Sequence, residues 1–379
     1  MRAFERYLVP QVKKDLPKKM VFLGGPRQVG KTTLARSLAS PASYLNWDSG
    51  EDRQRILQHQ LPATSIWIFD EIHKFKKWRN YLKGLYDKKP ARQQILVTGS
   101  ARLDLYRRGG DSLQGRYHFL RLHPLTSDEI RGTRRDLQDL FELSGFPEPF
   151  FGGDKFESQR WSREYRQRIL RDDISSVEVI EDLGSAEHLM LRLPELVGSP
   201  LSLNSLSEDI QVSHKTIQRW MNIFEKFYAL FRLSPFGSPK LKAVKKEQKH
   251  YHFDWTLVRE NGPRFENLVA SHLLKWCHLY EDIQGRDLEL RYFRDREKRE
   301  VDFVVTEHLR PILFVECKFA DKTLSPHLRY LKRKFPNVPS FQLLWAESKD
   351  YMSEEGIRVA PFSRVDVEIK KVIEKGLAY

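Results

Sequence analysis

The sequence predicts an α/β chain with buried strands around a glycine loop in its first third, helical segments in its middle and a second α/β region at its end. Three observations predict it. An apolar run, Met20 to Leu23, enters a glycine loop, and an apolar-periodic helix leaves that loop at Lys31. Two further runs, starting at Ser65 and Gln93, stop at acids or small polar residues, the pattern of strands buried on both faces. Near the end, residues 290–294, 301–305 and 313–319 read as consecutive strands.

A length of 379 residues allows roughly two to four domains. Lys and Arg number 65 against 51 Asp and Glu, a formal charge of +14. Such an excess points to a polyanionic partner, most simply nucleic acid; the plain alternative is a soluble basic protein. The two cysteines, Cys277 and Cys317, form neither a disulfide framework nor a zinc spacing, which fits a reducing cytoplasm. The start, Met1 to Arg6, lacks the apolar core of a signal peptide, and no uncharged apolar run approaches a membrane span.

In order, residues 1–19 read as a helix with Phe4, Tyr7, Leu8 and Val12 on one side, broken near Pro10 and ended by Pro17. Gly25-Pro26-Arg27-Gln28-Val29-Gly30-Lys31-Thr32, with Thr33 behind it, matches G-x-x-x-x-G-K-[ST]. Glycines let backbone N–H groups point at phosphate oxygens, and the helix N-terminus adds its dipole. Lys31 would reach the β- and γ-phosphates of ATP and Thr32 would ligate Mg²⁺. A short strand runs from Tyr44 to Trp47. The run from Ser65 ends at Asp70 and Glu71, an arrangement for holding Mg²⁺ (Asp70) and polarising an attacking water (Glu71). The run from Gln93 ends near Thr98 and Ser100, either of which could reach the γ-phosphate or serve as a turn residue. Arg116, after Gly115, could stabilise transition-state charge on a neighbouring subunit's nucleotide or be an ordinary surface arginine.

Taken together, Gly25 to Thr33, Phe69-Asp-Glu-Ile-His-Lys74 with Trp78 and Asp87, Val97-Thr-Gly-Ser100, Leu113 to Arg116 and Leu122-His-Pro-Leu-Thr126 resemble a prokaryotic AAA+ ATPase family over nearly the whole chain. Its members pair this module with a C-terminal domain of the PD-(D/E)XK nuclease type. The resemblance implies a five-stranded parallel sheet, Asp70 and Glu71 as the second nucleotide motif, Ser100 as γ-phosphate sensor and Arg116 as a trans-acting finger. It leaves open which of Arg163, Arg166, Arg168 and Arg171, if any, senses nucleotide from a helical lid.

A charged helix follows from about Lys155 to Ser176, within a lid spanning 131–195. A short helix at Asn204–Ile210, an N-cap at Ser213 and an apolar stripe through Ile217, Trp220, Met221, Phe224, Phe227, Tyr228 and Phe231 read as a helix-turn-helix. Lys240, Lys242, Lys245, Lys246 and Lys249 then precede a strand at His250–Asp254, as in the basic wing of a winged helix that contacts phosphates, or as an inter-domain spacer.

In the C-terminal strands, period-two alternation puts Phe314, Glu316 and Lys318 on one face. Charges there are costly unless they pair or bind something, and Asp302 shares the setting. Two such carboxylates suit a divalent metal, with a lysine beside them for the attacking water; a structural salt bridge of Glu316 with Lys318 or Arg294 is the simpler reading. Asp302, Glu316 and Lys318 resemble the D…E-x-K core of PD-(D/E)XK nucleases, and Glu266 its additional acid. The expected organisation is a nucleotide-binding core (1–130), the lid (131–195), a winged helix (196–260) and a nuclease-like domain (261–379). The expected function is a cytoplasmic, homo-oligomeric ATPase, with a hexameric ring as candidate form, that uses ATP and Mg²⁺ to remodel or move along DNA, branched or forked DNA included. Mg²⁺- or Mn²⁺-dependent cleavage at Glu266, Asp302 and Glu316 is a candidate second activity. The alternative is a nucleotide-dependent switch that recruits a protein partner with little turnover and no cleavage.

Overall fold

The computed structural model describes residues 4–99, 113–174, 180, 182–237, 248–320, 323–346 and 349–377. The chain forms two compact units, one of residues 1–124 with 226–228 and one of residues 125–225 with 229–379.

The first unit is built on five parallel strands, β1 (Met20–Gly24), β2 (Tyr44–Asn46), β3 (Ile66–Asp70), β4 (Gln94–Thr98) and β5 (Tyr117–Arg121), in the order β2-β3-β4-β1-β5. Phe22, Leu45, Phe69, Ile95 and Val97 are buried in one apolar cluster with Ile72, Trp78 and Leu82, which explains why these strands read as unbroken apolar runs. The register pairs Asn46 with Asp70, Asp70 with Thr98, and Leu23 with Thr98. Strand ends carrying polar groups therefore share one edge, next to the loop that follows β1.

The expected helix over residues 1–19 is shorter. It spans Val9–Asp15 with Pro10 in its first turn, where proline starts a helix at no hydrogen-bond cost. The preceding residues are tied across the unit instead. Arg6 donates to Val29 O at 2.6 Å and to His123 O at 2.5 Å, and Tyr7 Oη donates to Arg121 O at 2.6 Å.

The second unit begins with short helices, including Leu137–Leu143 and Pro147–Gly152, and a longer one at Lys155–Arg168 that passes into a π turn at Ile169–Ile174. Trp255 Nε1 donates to Leu140 O at 3.0 Å and Phe141 lies 4.4 Å from the Trp345 ring centre, so these helices share a core with the later part of the unit. Helices Leu203–Ile210 and His214–Lys226 follow, with Thr216 N donating to Ser213 Oγ as the N-cap expects. The second of these ends before Phe231. Tyr228 takes φ +58°, and Phe231 belongs to strand β6 (Leu230–Leu233), paired antiparallel with β7 (Lys249–His252). The three- and four-residue apolar spacing runs on across that break because strand and helix both bury their large side chains.

The helix Asn261–Gln284 then leads into a second sheet, β8 (Leu288–Arg294), β9 (Glu300–Glu307), β10 (Arg310–Lys318), β11 (Ser340–Leu344), β12 (Tyr351–Met352) and β13 (Arg358–Pro361), ordered β12-β13-β11-β10-β9-β8. β8, β9 and β10 form an antiparallel meander, and β11 joins β10 in parallel after the helix Pro326–Lys334. Among the described residues, no helix is long and apolar enough to cross a membrane.

Candidate functional site

The glycine loop adopts the backbone its sequence demands. Gly25 has φ +129°, and a Cβ there would sit 2.2 Å from Leu122 O. Gly30, at φ +98°, is the N-cap of the helix Lys31–Ser37, so its left-handed backbone turns the loop into the helix. Lys31 is buried and curls over the loop, donating to Gly25 O at 3.0 Å and Pro26 O at 2.5 Å. The Arg6 bond to Val29 O fixes the same loop from behind.

Asp70, at the end of β3, is ringed by hydroxyls. Thr32 Oγ1 donates to its Oδ2 at 2.9 Å, Tyr44 Oη to the same oxygen at 2.5 Å, and Thr98 Oγ1 to Oδ1 at 2.6 Å. Thr32 and Asp70, from elements far apart in sequence, are thus brought together with the hard oxygen atoms that a site for Mg²⁺ requires. Tyr44 was not among the expected site residues. Its only sequence signal is its place at the start of a strand that runs beside β3, and the Arg36 guanidinium 4.1 Å from its ring centre holds it there. Burial first, then the hydrogen bond to Asp70, hold the Tyr44 phenol well above its ordinary range, so it stays a donor.

Glu71 follows in the left-handed region, φ +54° and ψ +20°, with its N–H on Thr98 O at 3.1 Å. A non-glycine residue held in that region marks a backbone the surrounding structure overrides, a frequent property of functional positions. Its carboxylate lies 3.5 Å from Lys74 Nζ and 3.5 Å from His73 Nε2. Burial raises its pKa above the usual value while Lys74 opposes the rise, which makes it a better proton acceptor. Thr98 is turned to Asp70, and Ser100, the expected γ-phosphate sensor, lies outside the described residues. Arg116 is held by its own chain, with Nε 2.9 Å from Asp87 Oδ1 and Nη2 3.3 Å from Oδ2, both groups partly exposed. Of the lid arginines, Arg168 pairs with Glu164 at 2.7 Å and Arg171 with Glu187 at 2.8 Å.

In the second unit, Glu266, Asp302, Glu316 and Lys318 also come together. Glu316 Oε1 accepts from Lys318 Nζ at 2.7 Å, and its Oε2 is 3.4 Å from the Asp302 N–H. Asp302 Oδ2 accepts from Cys317 N at 2.8 Å, and Glu266 Oε1 from Tyr251 Oη at 2.6 Å. Lys249, expected among the exposed lysines of the wing, is instead fully buried. Its Nζ lies 2.8 Å from Glu300 Oε1, 3.3 Å from Glu266 Oε1 and 3.6 Å from Asp302 Oδ1. Its position on β7, in period-two alternation with Tyr251, turns it inward, which the basic run around it concealed. Lys240, Lys242, Lys245 and Lys246 lie outside the described residues.

Burial pushes the Glu266 and Glu316 carboxyls up, with Asp302 adding to the rise. For Lys249, burial favours the neutral amine, but Glu266, Asp302 and Glu300 outweigh it and hold the ammonium. Lys318 is likewise held protonated by Glu316 despite its burial. Among the described residues, no group of three or more His, Cys, Asp and Glu side chains has the geometry to hold a metal ion. The expected site for Mg²⁺ or Mn²⁺ at Glu266, Asp302 and Glu316 does not fit these residues as they stand, because the Lys249 ammonium lies against Glu266 and Asp302 and the Lys318 ammonium against Glu316.

Comparison with known proteins agrees with the first unit's architecture. Residues 17–131 match the model of an AAA domain, so this part of the chain is an AAA-type P-loop module. Residues 134–260 and 261–365 match models of two domains of unknown function, DUF8612 and DUF4143. An uncharacterized protein of Mycobacterium tuberculosis is 23% identical over 322 residues, covering 82% of this chain and 73% of the relative. An uncharacterized protein of Methanocaldococcus jannaschii is 26% identical over 385 residues, covering 83% and 79%. Among solved structures, a STAND signal transduction ATPase with a tetratricopeptide repeat sensor from Pyrococcus horikoshii is similar at 14% identity and TM-score 0.23, over 73% of this chain and 47% of that one. The DNA clamp loader delta protein of Bacillus subtilis is similar at 10% identity and TM-score 0.28, over 73% and 99%.

Proposed function

We propose that the protein is a Mg²⁺-dependent ATPase that binds DNA and couples hydrolysis to remodelling or moving along it. The observation that carries the nucleotide half is the meeting of Thr32, Asp70 and Thr98 beside Glu71, at the edge where the loop Gly25–Thr33 begins its helix. In this reading the loop N–H groups cradle the phosphates of ATP, and Lys31 leaves Gly25 O and Pro26 O for the β- and γ-phosphates. Thr32 and Asp70 would hold Mg²⁺, which supplies charge neutralisation on the phosphate oxygens. Glu71 accepts a proton from the attacking water, and its raised pKa suits that task. Arg116 would exchange Asp87 for the nucleotide of a neighbouring copy in a homo-oligomer. The exposed pair it leaves is of the kind that contributes little to stability.

Support for the DNA half is the +14 charge, together with the helix pair Leu203–Ile210 and His214–Lys226 followed by the β6–β7 ribbon, read as a winged helix. Lys215 and Arg219 are exposed on the second helix, where phosphate contacts would form. The region 131–195 is read as the lid and 261–379 as a nuclease-type fold acting as a gripping platform. Metal-dependent cleavage is not part of this proposal, because the Lys249 ammonium already faces Glu266, Glu300 and Asp302.

The test is ATP turnover with and without DNA across a series of salt concentrations. Stimulation by DNA that weakens as salt rises is the expected result. Turnover that ignores DNA at every salt concentration would sink the motor reading and leave a nucleotide-dependent switch that recruits a protein partner.

A further inference from the structure

Glu266, Glu300, Asp302 and Glu316 converge from a helix and two strands of the second unit; Glu316 is buried and the other three are half-buried, and carboxylates so far withdrawn from water need a cation. In folds of the kind the sequence resembles, a divalent metal supplies it. We infer that here the resident cation is the Lys249 ammonium, and that the cluster is a charge latch tying the β6–β7 ribbon to the C-terminal sheet.

Three features support the latch. Lys249 Nζ reaches three acids at once, Glu300 Oε1 at 2.8 Å, Glu266 Oε1 at 3.3 Å and Asp302 Oδ1 at 3.6 Å, so it sits between the helix Asn261–Gln284 and β9 as a shared ion would. The remaining contacts are made by the protein itself: Tyr251 Oη donates to Glu266, Cys317 N–H to Asp302 and Lys318 to Glu316. The ammonium also has no easy exit. Its backbone is paired with Leu233 in the ribbon, its side chain is fully buried, and its Nζ lies 5.6 Å from the Tyr292 ring centre. Gly198, at φ +83°, closes the other side of Glu266, since a Cβ there would lie 2.9 Å from Glu266 Oε2. A Mg²⁺ or Mn²⁺ ion needs oxygen ligands at about 2.1 Å on every side, which an ammonium within the same group of oxygens prevents. The lysine comes from the segment before residue 260 and the acids from the segment after it, so the ion pairs hold two parts of the unit together.

The experiment uses the full chain without nucleotide, and Mn²⁺ as the probe, read by thermal melting and by calorimetric titration. The wild-type protein is expected to show no Mn²⁺-dependent shift beyond the one that Asp302→Asn also shows, since Thr32 and Asp70 in the first unit are a separate place for the ion. Lys249→Met should melt about 10 °C lower, because it strands three half-buried carboxylates against each other. Added Mn²⁺ should recover part of that loss, and the recovery should vanish in the Lys249→Met, Asp302→Asn double variant. Stabilisation of the wild type by Mn²⁺ that disappears in Asp302→Asn would overturn the inference. So would a folded Lys249→Met that neither loses stability nor responds to Mn²⁺. Should Lys249→Met not fold, the wild-type and Asp302→Asn titrations still decide the matter. None of these readouts involves ATP, so failure here and failure of the ATPase reading can be told apart.

Discussion

Asp70 in the first unit and Asp302 in the second are each buried or nearly so, each on a strand, and each surrounded by polar partners. Their surroundings differ in one respect. Asp70 receives hydrogen bonds from three neutral hydroxyls, Thr32, Tyr44 and Thr98. Asp302 faces the Lys249 ammonium and accepts from the Cys317 N–H. Hydroxyls orient a carboxylate without neutralising it, so its charge is still available to a cation from solvent. An ammonium already satisfies the charge. The same residue type can therefore be a ligand in one unit and a structural anchor in the other, and the sign of its nearest partner decides which.

The largest effects are expected at the proposed nucleotide site. Glu71→Gln should lower ATP turnover by about 10²–10⁴-fold while nucleotide still binds, and Lys31→Ala should abolish binding. Normal hydrolysis by Glu71→Gln, measured as phosphate release, would show that another group takes the proton. On the other side, Lys249→Met should cost about 3–5 kcal/mol in urea unfolding of the second unit, without a comparable change in ATP affinity. In a double-mutant cycle Glu266→Gln should offset part of that loss, and strict additivity would mean that the two groups are not coupled.

An effect that is smaller per residue concerns pH and again falls on the second unit. Burial pushes His250 and His272 down to about 4 and His252 to about 3. Unfolded imidazoles titrate near ~6.5, so below that pH the unfolded chain binds protons that the folded unit refuses. Their contribution to stability is complete above about 6.5 and declines as pH falls toward about 4, or about 3 for His252. At pH 5 the loss amounts to about 2 kcal/mol per histidine. Denaturant melts at a series of pH values should show that decline, and a second unit equally stable at pH 5 and pH 7.5 would contradict it. The smallest expected effect is at Tyr44. Removing its hydroxyl with Tyr44→Phe takes one of three donors from Asp70 and should cost about 1 kcal/mol, with a weaker apparent Mg²⁺ requirement for turnover as the specific sign.

Much of the first unit was legible because its signals are local. The runs ending at Gly24, Asp70 and Thr98 stop where a buried strand must stop, and the glycines of the loop sit where the backbone turns left-handed. Tyr44 and Arg6 were not legible, since each acts on a partner that only the sheet order brings near. Phe231 misled for a related reason: its spacing continued a helical stripe, but the chain had already turned at Tyr228.

Local pattern alone was enough for the phosphate loop, the acids that end β3, the buried strands they stand on, and the alternation that sets Glu316 beside Lys318. These follow from periodicity and backbone conformation, which nearby residues dictate. The role of Lys249 is set by the fold. In the chain it is the last of a run of lysines and reads as a solvated charge. In the fold, β7 carries it against Glu266, Glu300 and Asp302, where it is buried and shared. Charge compensation depends on distance in space and on exclusion of water, and neither is written in the spacing of residues along a chain.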